Sequence, residues 1–511
     1  MPASHPTERP SGASLPLPAV VVGFAALVLV LRGSTFFHSV ENWDESLYLL
    51  MARSVLEGHP LYTEIWDHKP PGIFYLFALA QLVFGRSVVS IRILAWLAVT
   101  LSTLLLFLLG RRLRSETTGL VAGVLYAAFS LNDGGLASNV ELFFTPLLLL
   151  ALYLALSPAP AELLDQPSRP LVLGLVSGLA LQMKYIVVFD LAAFFLFLLV
   201  SFRRQNRGES SGRLLRFIGL AGLGALVPLA VVATYFAASG HFAEYFDANF
   251  AANVRYVSEV GFDYRKLLWM LERRIRESFL LWLGLGVAPA YLVFWRDLDR
   301  DTRRGLAASL LWVVFAFFGI CATRRLFAHY FLALTPPLCL IAALVISAAV
   351  EGNRSRMRTF LLLTLVLAGP LLRTVERPLL QTARAVRHHW FLQDPLWDDE
   401  PAQIAEYLRP RVAAGDYLYV ADYHPILYYL LPVRLPTRFP LPPHLVEEQW
   451  KELTGFDTEA EVRNIFAKRP VYVIKAEEKH TPFYRILREE LDRGYRLERN
   501  VGSVELYRRI D

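Results

Sequence analysis

Pro71-Gly72-Ile73-Phe74-Tyr75-Leu76-Phe77-Ala78-Leu79-Ala80-Gln81-Leu82-Val83-Phe84-Gly85 is the stretch on which the topology of this chain turns. It is apolar enough to enter a bilayer, and whether it crosses sets the sidedness of every later segment. A crossing helix needs roughly 20 apolar residues. Candidate runs lie at about 16–32, 88–109, 118–131, 140–156, 171–182, 185–202, 215–238, 279–295, 305–322, 330–350 and 358–372. Two of these, 118–131 and 171–182, are short, so their ends must extend into the flanks. Loop charge decides the remaining question. With the N-terminus inside and Pro71–Gly85 not crossing, Arg111, Arg112 and Arg114 face the cytoplasm. So do Arg203, Arg204, Arg207 and Arg213, then Arg296, Arg300, Arg303 and Arg304, then Arg354, Arg356 and Arg358. That is the side on which short basic loops collect; a crossing at Pro71–Gly85 would invert every one of them. The stretch therefore reads as a helix on, or dipping into, the outer surface. The count becomes about eleven spans with the C-terminus outside.

Composition agrees. The 511 residues are 55% hydrophobic and 19% charged, against about 45–50% and about 25% in soluble domains. A single soluble globule, a disulfide scaffold and a disordered chain are excluded. The net charge of +6 comes from 52 Lys and Arg against 46 Asp and Glu. Much of the Arg sits beside spans, so no nucleic-acid partner is implied. Cys321 and Cys339 lie in or beside apolar runs and read as packed thiols.

The expected architecture is an all-α polytopic membrane domain with outer surface helices and a small C-terminal α/β domain. Residues 1–15, rich in Pro and Ser, read as a disordered cytoplasmic tail. The run near Leu17–Leu31 lacks a basic leader and a cleavage site, and so reads as an uncleaved first span. Residues 16–372 form the membrane domain, with outer loops 33–87 and 239–278. The second loop carries Arg265, Lys266, Arg273, Arg274 and Arg276 against the charge rule; lipid-phosphate contact and simple snorkelling explain it equally well. Residues 373–399 read as a linker and 400–511 as an extracytoplasmic domain. Its strands are expected at Tyr417–Ala421, Val471–Ile474 and Ser503–Tyr507, and its helices near Leu445–Phe466 and Pro482–Arg493. Asp422, Tyr423 and His424 sit at a strand–helix junction, where packing or capping outweighs ligand binding. No Walker or dinucleotide motif is present.

The polar residues of the outer face need a reason. Trp43, Asp44 and Glu45 follow the first span. Adjacent carboxylates at a membrane surface can act on an acceptor proton or bind a cation; the plainer reading is helix capping by Asn42 or Asp44. A second cluster, Asp67-His68-Lys69-Pro70-Pro71, lies in the same loop. Asp67 and Lys69 anchor the surface helix at the headgroups or hold an anionic group near Asp44. Lys184, at an outer helix end, snorkels or meets a lipid phosphate. Arg324, His329 and Tyr330 precede the tenth span, where Arg suits bidentate phosphate contact and a structural ion pair is the rival. Asn139 and Glu141, beyond a short outer connection, are candidates to line the same cavity.

This ordered set resembles bacterial members of the membrane glycosyltransferase superfamily with the C-type fold. The likeness is to the protein O-mannosyltransferase and lipid A aminoarabinose transferase family. It is carried by Asp44-Glu45, by Asp67-His68-Lys69-Pro70-Pro71 before a surface helix, by Lys184, and by the Arg324–His329–Tyr330–Pro336 segment. It covers about residues 16–350. The resemblance implies transfer of a sugar from a polyprenyl-phosphate donor to a protein, glycan or lipid acceptor at the outer face, by a single inverting displacement. It implies Asp44 as the catalytic carboxylate and Glu45 as its positioner. Lys184 and Arg324 would neutralise the departing phosphate, and Asp67 and Lys69 would shape the donor pocket. Asp67 stands where the aminoarabinose transferases carry glutamate, which weakens aminoarabinose as the sugar. No cofactor is required; a divalent metal at Asp44 and Glu45 is left open. The competing readings are a transporter or flippase and a non-catalytic partner in envelope polysaccharide assembly.

The topology makes a direct prediction. A single cysteine within 73–84 should label from outside intact cells, and Arg111→Cys only after permeabilisation. External labelling at position 111 would overturn the span count.

Overall fold

The computed structural model describes residues 15–156, 166–205, 211–258, 261–294, 298–350, 356–447 and 457–510. Each candidate span coincides with a helix. Five helices among the described residues are long and apolar enough to cross a bilayer individually: those within Leu17–Phe37, Val88–Leu113, Gly212–Ala238, Arg300–Ala322 and Ala328–Val350. Gly72–Phe84, Glu116–Phe129 and Val140–Leu156 are shorter apolar helices, and the helices Tyr264–Glu277 and Phe279–Phe294 meet at 100°. The first of that pair carries Arg265, Lys266, Arg273, Arg274 and Arg276, and it exposes Leu268 and Trp269.

The stretch that opened the question forms α3, after α1 (Leu17–Arg32) and α2 (Trp43–Leu56). α3 runs over Gly72–Phe84, 13 residues. At 1.5 Å per residue it is about 20 Å long, short of a hydrocarbon core of roughly 30 Å. Pro70 and Pro71 set its start, and Gly72 lets it dock closely. A Cβ at Gly72 would lie 2.4 Å from the Gln182 carbonyl oxygen, so α3 abuts the end of the helix Ser168–Met183 just before Lys184.

α2 begins at Asn42, whose side-chain oxygen accepts from the Glu45 amide at 3.0 Å. Asp44 and Glu45 then occupy the first turn, where the helix dipole favours negative charge. Glu45 reaches back to accept from the Glu41 amide at 2.6 Å. Its carboxylate also meets Arg92 of α4 (Val88–Leu113) through two bonds of 2.6 and 2.7 Å, and takes the Ser138 amide at 2.7 Å. Both charged side chains are buried. This bidentate pair ties α2 to α4 and to the connection between α5 (Glu116–Phe129) and α6 (Val140–Leu156). α4 and α5 themselves approach through Gly110 and Gly119, whose Cα and a built Cβ at Gly110 are 2.8 Å apart.

The stretch 373–399 departs from the linker expected there. The helix Arg356–Val386 runs through its first part, because it has a surface to pack on: Thr382 Oγ1 accepts from the Ser34 amide at 2.9 Å. The C-terminal domain is a four-stranded sheet of order β1-β2-β4-β3, with β1 Leu418–Val420, β2 Tyr472–Lys475, β3 Tyr495–Val501 and β4 Val504–Arg509. β1 and β2 are parallel and the rest antiparallel. β3 was not expected; its alternation is weak because it is a mostly exposed edge strand. The helix Pro482–Gly494 packs Phe483, Ile486 and Leu487 on the sheet. The helix expected near Leu445–Phe466 is observed as Pro443–Val446 and Thr458–Ala467, and its middle lies outside the described residues. Asp422 accepts from the Ala476 and Glu477 amides and the Tyr484 hydroxyl, at 2.6, 2.9 and 2.9 Å, which is the packing role expected of that junction.

This domain is fastened to the stretch between α1 and α4. Asp399 accepts from the Ser39 amide and hydroxyl at 2.7 and 2.6 Å, Arg53 donates to the Tyr428 carbonyl at 2.9 Å, and Tyr429 donates to Gln81 at 3.0 Å.

Replacing Arg92 with alanine leaves Glu45 charged and buried, a change that costs about 3–5 kcal/mol. Arg92→Ala should therefore unfold at markedly lower temperature in detergent than the parent; an unchanged melting temperature would contradict the assigned role.

Candidate functional site

A cavity of about 540 Å³ opens between the membrane helices and the C-terminal domain. Asp44 sits on its wall because α2 starts there. One Asp44 oxygen is 3.2 Å from Lys69 Nζ, the other 3.8 Å from His329 Nε2. Lys69 is shared: Asp67 also meets it at 3.2 Å. Burial alone would raise the Asp44 carboxyl, but Lys69 and His329 outweigh it and hold the group below its ordinary value. Asp67 is likewise held low, its burial overcome by Lys69 and by the side chain of His68. Lys69 stays charged, since the two carboxylates more than offset its burial. The loop is pinned from behind by Tyr62, whose hydroxyl donates to the Lys69 carbonyl at 2.8 Å. Tyr62 is buried and adopts φ 71°, a left-handed conformation that is rare for a bulky residue.

Lys184 reaches the cavity from the end of Ser168–Met183. It bonds Glu141 at 2.6 Å and lies 3.8 Å from the Tyr330 ring centroid. Tyr330 shares a hydrogen bond of 2.8 Å with Tyr256. Trp43, Asp44, Lys69, Lys184, His329 and Tyr330 all line the cavity.

Five expected residues fall elsewhere. Asp67 is fully buried behind Lys69 rather than on the cavity wall. Glu45 points away from Asp44 and is consumed by Arg92, so the carboxylate pair does not converge on a common ligand. Arg324 lines a separate recess with Phe315 and Phe318. Both Arg324 and Leu326 take left-handed φ, 57° and 50°, so the backbone reverses there. Arg325 turns inward instead, with its guanidinium 4.6 Å from the Tyr256 ring centroid. Asn139 and Glu141 stand behind the lining: Asn139 accepts from Asn42 at 2.6 Å, and Glu141 holds Lys184.

Arg92, His68, Tyr256 and His444 were missed. Arg92 carried a signal, a lone charge inside an apolar run that demands a buried partner. The others did not, because their proximity is set by long-range folding. Asp67, His68 and His444 bring one carboxylate and two imidazoles within 4.8 Å, all buried. Burial depresses both imidazoles, His444 to about 3, and neutral imidazole is the metal-binding form. This set, rather than Asp44 with Glu45, can hold a divalent cation, which would clamp the C-terminal domain to the first outer loop.

Comparisons with known proteins now bear on the site. Residues 68–235 match the family described as dolichyl-phosphate-mannose-protein mannosyltransferase. Over 177 residues the chain is 32% identical to the undecaprenyl phosphate-alpha-4-amino-4-deoxy-L-arabinose arabinosyl transferase of Pseudomonas aeruginosa strain UCBPP-PA14. That match spans 31% of this chain and 31% of the relative's length. The crystal structure of ArnT from Cupriavidus metallidurans bound to undecaprenyl phosphate superposes over 96% of this chain and 98% of its own, with a TM-score of 0.65 at 14% identity. The chain shares the fold of this ArnT structure. The apo oligosaccharyltransferase of Archaeoglobus fulgidus shares it more distantly, at TM-score 0.51 and 15% identity over 90% of this chain and 69% of the other. The polytopic membrane reading and the C-type resemblance drawn from the sequence are thereby supported.

For the cation set, elemental analysis of the purified protein should find a divalent metal, and His444→Ala should lose it together with thermal stability. Equal metal content in both proteins would remove the assignment.

Proposed function

We propose that this protein transfers a sugar from an undecaprenyl-phosphate-type polyprenyl donor to a hydroxyl acceptor at the extracytoplasmic membrane face. The observation that carries the reading is the convergence of Asp44, Lys69 and Lys184 on one cavity between the membrane helices and the C-terminal domain. The lipid-linked substrate in the relatives' names, and the lipid in the ArnT crystal structure, supply the donor class. The span count of about eleven, the cytoplasmic N-terminus and the outer C-terminal domain belong to the same proposal.

In this mechanism the donor phosphate lies against Lys69 and Lys184, whose charges stabilise the leaving group. The acceptor oxygen attacks the anomeric carbon from the opposite face. The carbon–oxygen bond to phosphate breaks, its electron pair stays on the phosphate oxygen, and configuration inverts. Asp44 accepts the acceptor's proton. A cation on Asp67, His68 and His444 would hold the loop carrying Lys69, and no bond-making step passes through it. A transporter would place its polar groups near the bilayer midplane; here they gather in a cavity that the C-terminal domain helps to line, so transfer is the better reading.

Purified protein given undecaprenyl-phosphate-linked mannose, glucose, arabinose and aminoarabinose, with membrane extract as acceptor source, should transfer at least one sugar. Asp44→Asn should lower turnover by roughly a hundredfold or more with the protein still folded; unchanged transfer would end Asp44's role. Because Lys69 and His329 hold the Asp44 carboxyl below its ordinary value, it stays ionised in mildly acidic solution and should impose no acid limb on the rate there. Lys184→Ala should weaken donor binding about tenfold or more, and an unaltered donor dissociation constant would count against it.

A further inference from the structure

Away from the cavity, the sheet of the C-terminal domain gathers positive charge at one edge. β3 is an edge strand, and its Arg496 stands directly across from Arg508 of β4. Directly opposed residues point to the same face of a sheet, and like charges so placed destabilise it. Two more guanidiniums join them: Arg411 and Arg499 lie 3.8 and 4.5 Å from the Tyr407 ring centroid. At the centre is Glu498, which accepts from the Tyr407 and Tyr472 hydroxyls at 2.7 and 2.8 Å. Arg508 and Arg411 approach the same carboxylate at 3.4 and 3.8 Å. None of these side chains lines the cavity.

One carboxylate cannot offset four guanidiniums. The neighbouring acids are engaged elsewhere, Glu406 by Arg409 and Glu505 by Lys475. Among the described residues, Arg496 and Arg499 form no ion pair. All four arginines are exposed, so the fold holds uncompensated guanidiniums together in water, a local conflict of the kind that marks a functional surface. Guanidinium forks take carboxylate or phosphate oxygens through paired N–H donors. A membrane surface would also require apolar side chains among the basic ones. Leu497, the exposed apolar residue of β3, pairs with Tyr507 and alternates to the other face. An acidic peptide adding a strand would need a regular edge, and β3 is bulged between Leu497 and Arg499, which interrupts the ladder. A glycan bearing acid groups needs neither. We infer that Arg411, Arg496, Arg499 and Arg508 form a binding surface for a polyanionic glycan, an oligosaccharide carrying carboxylate or phosphate groups. This surface is separate from the transfer site and does not depend on the transfer reading.

The full-length protein in nonionic detergent is titrated into fluorescein-labelled oligogalacturonate and labelled dextran phosphate, with labelled maltodextrin as the uncharged control. At least one of the two anionic glycans should bind, more weakly as salt rises, and maltodextrin should not. Arg496→Gln together with Arg508→Gln should weaken that binding about tenfold or more. The melting temperature of this double variant should equal or exceed the parent's, because an opposed pair of like charges is gone. Arg411→Gln together with Arg499→Gln leaves that cross-strand pair in place and should weaken binding as well. Binding unaltered in both double variants, or no binding by the parent above the maltodextrin level, overturns the inference. So does displacement of the bound glycan by polyglutamate, or by dihexanoyl phosphatidylglycerol, at a lower concentration than the unlabelled glycan requires, since the surface would then belong to a peptide or a lipid.

Discussion

The buried Arg92–Glu45 pair is the constraint from which the site's geometry descends. Two charges removed from water stay charged only if each is matched, and here the match is bidentate and completed by the Ser138 and Glu41 amides. The consequence is positional. With Glu45 fixed at the third residue of its helix, Asp44 is turned toward the cavity and toward Lys69. The neighbouring carboxylate thus acts at one remove, holding the helix from which Asp44 projects.

A second layer of constraint surrounds Lys69. Asp67 and Asp44 both meet its ammonium, and Tyr62, in a backbone conformation it would not choose alone, grips the carbonyl of the same residue. Such strain persists only where surrounding contacts over-determine it. Those contacts are identifiable: Tyr62 is buried, its carbonyl takes Arg438, and Gly72 seats the following helix against the end of the one carrying Lys184. The two lysines are therefore placed by one packed unit rather than by separate loops.

Much of this was legible in the sequence, for identifiable reasons. Spans announce themselves by length and apolarity, and each candidate run is a helix. The loop charges around Pro71–Gly85 argued against a crossing there, and the helix formed is only 13 residues long. Asp44, Lys69, Lys184, His329 and Tyr330 were legible because polar side chains at an outer membrane edge are costly without a task. What failed to show was which neighbours point where. Nothing local distinguishes Glu45 from Asp44, or Arg324 from Arg325; one helical step, or one left-handed residue, separates a lining side chain from a buried or outward one. His444 lies hundreds of residues from His68, and no spacing rule connects them.

The side of the cavity lined by Leu441, Pro443 and Glu447 also fixes an order in time. A ribosome making this chain emits Asp44, Lys69 and Lys184 well before it reaches residue 441, and until then the cavity lacks a side. The pocket is completed only when residues 438–447 have been synthesised and have folded back onto Tyr62 and Trp66. A nascent chain short of that segment therefore carries its lysines and Asp44 without an enclosed site in which to use them.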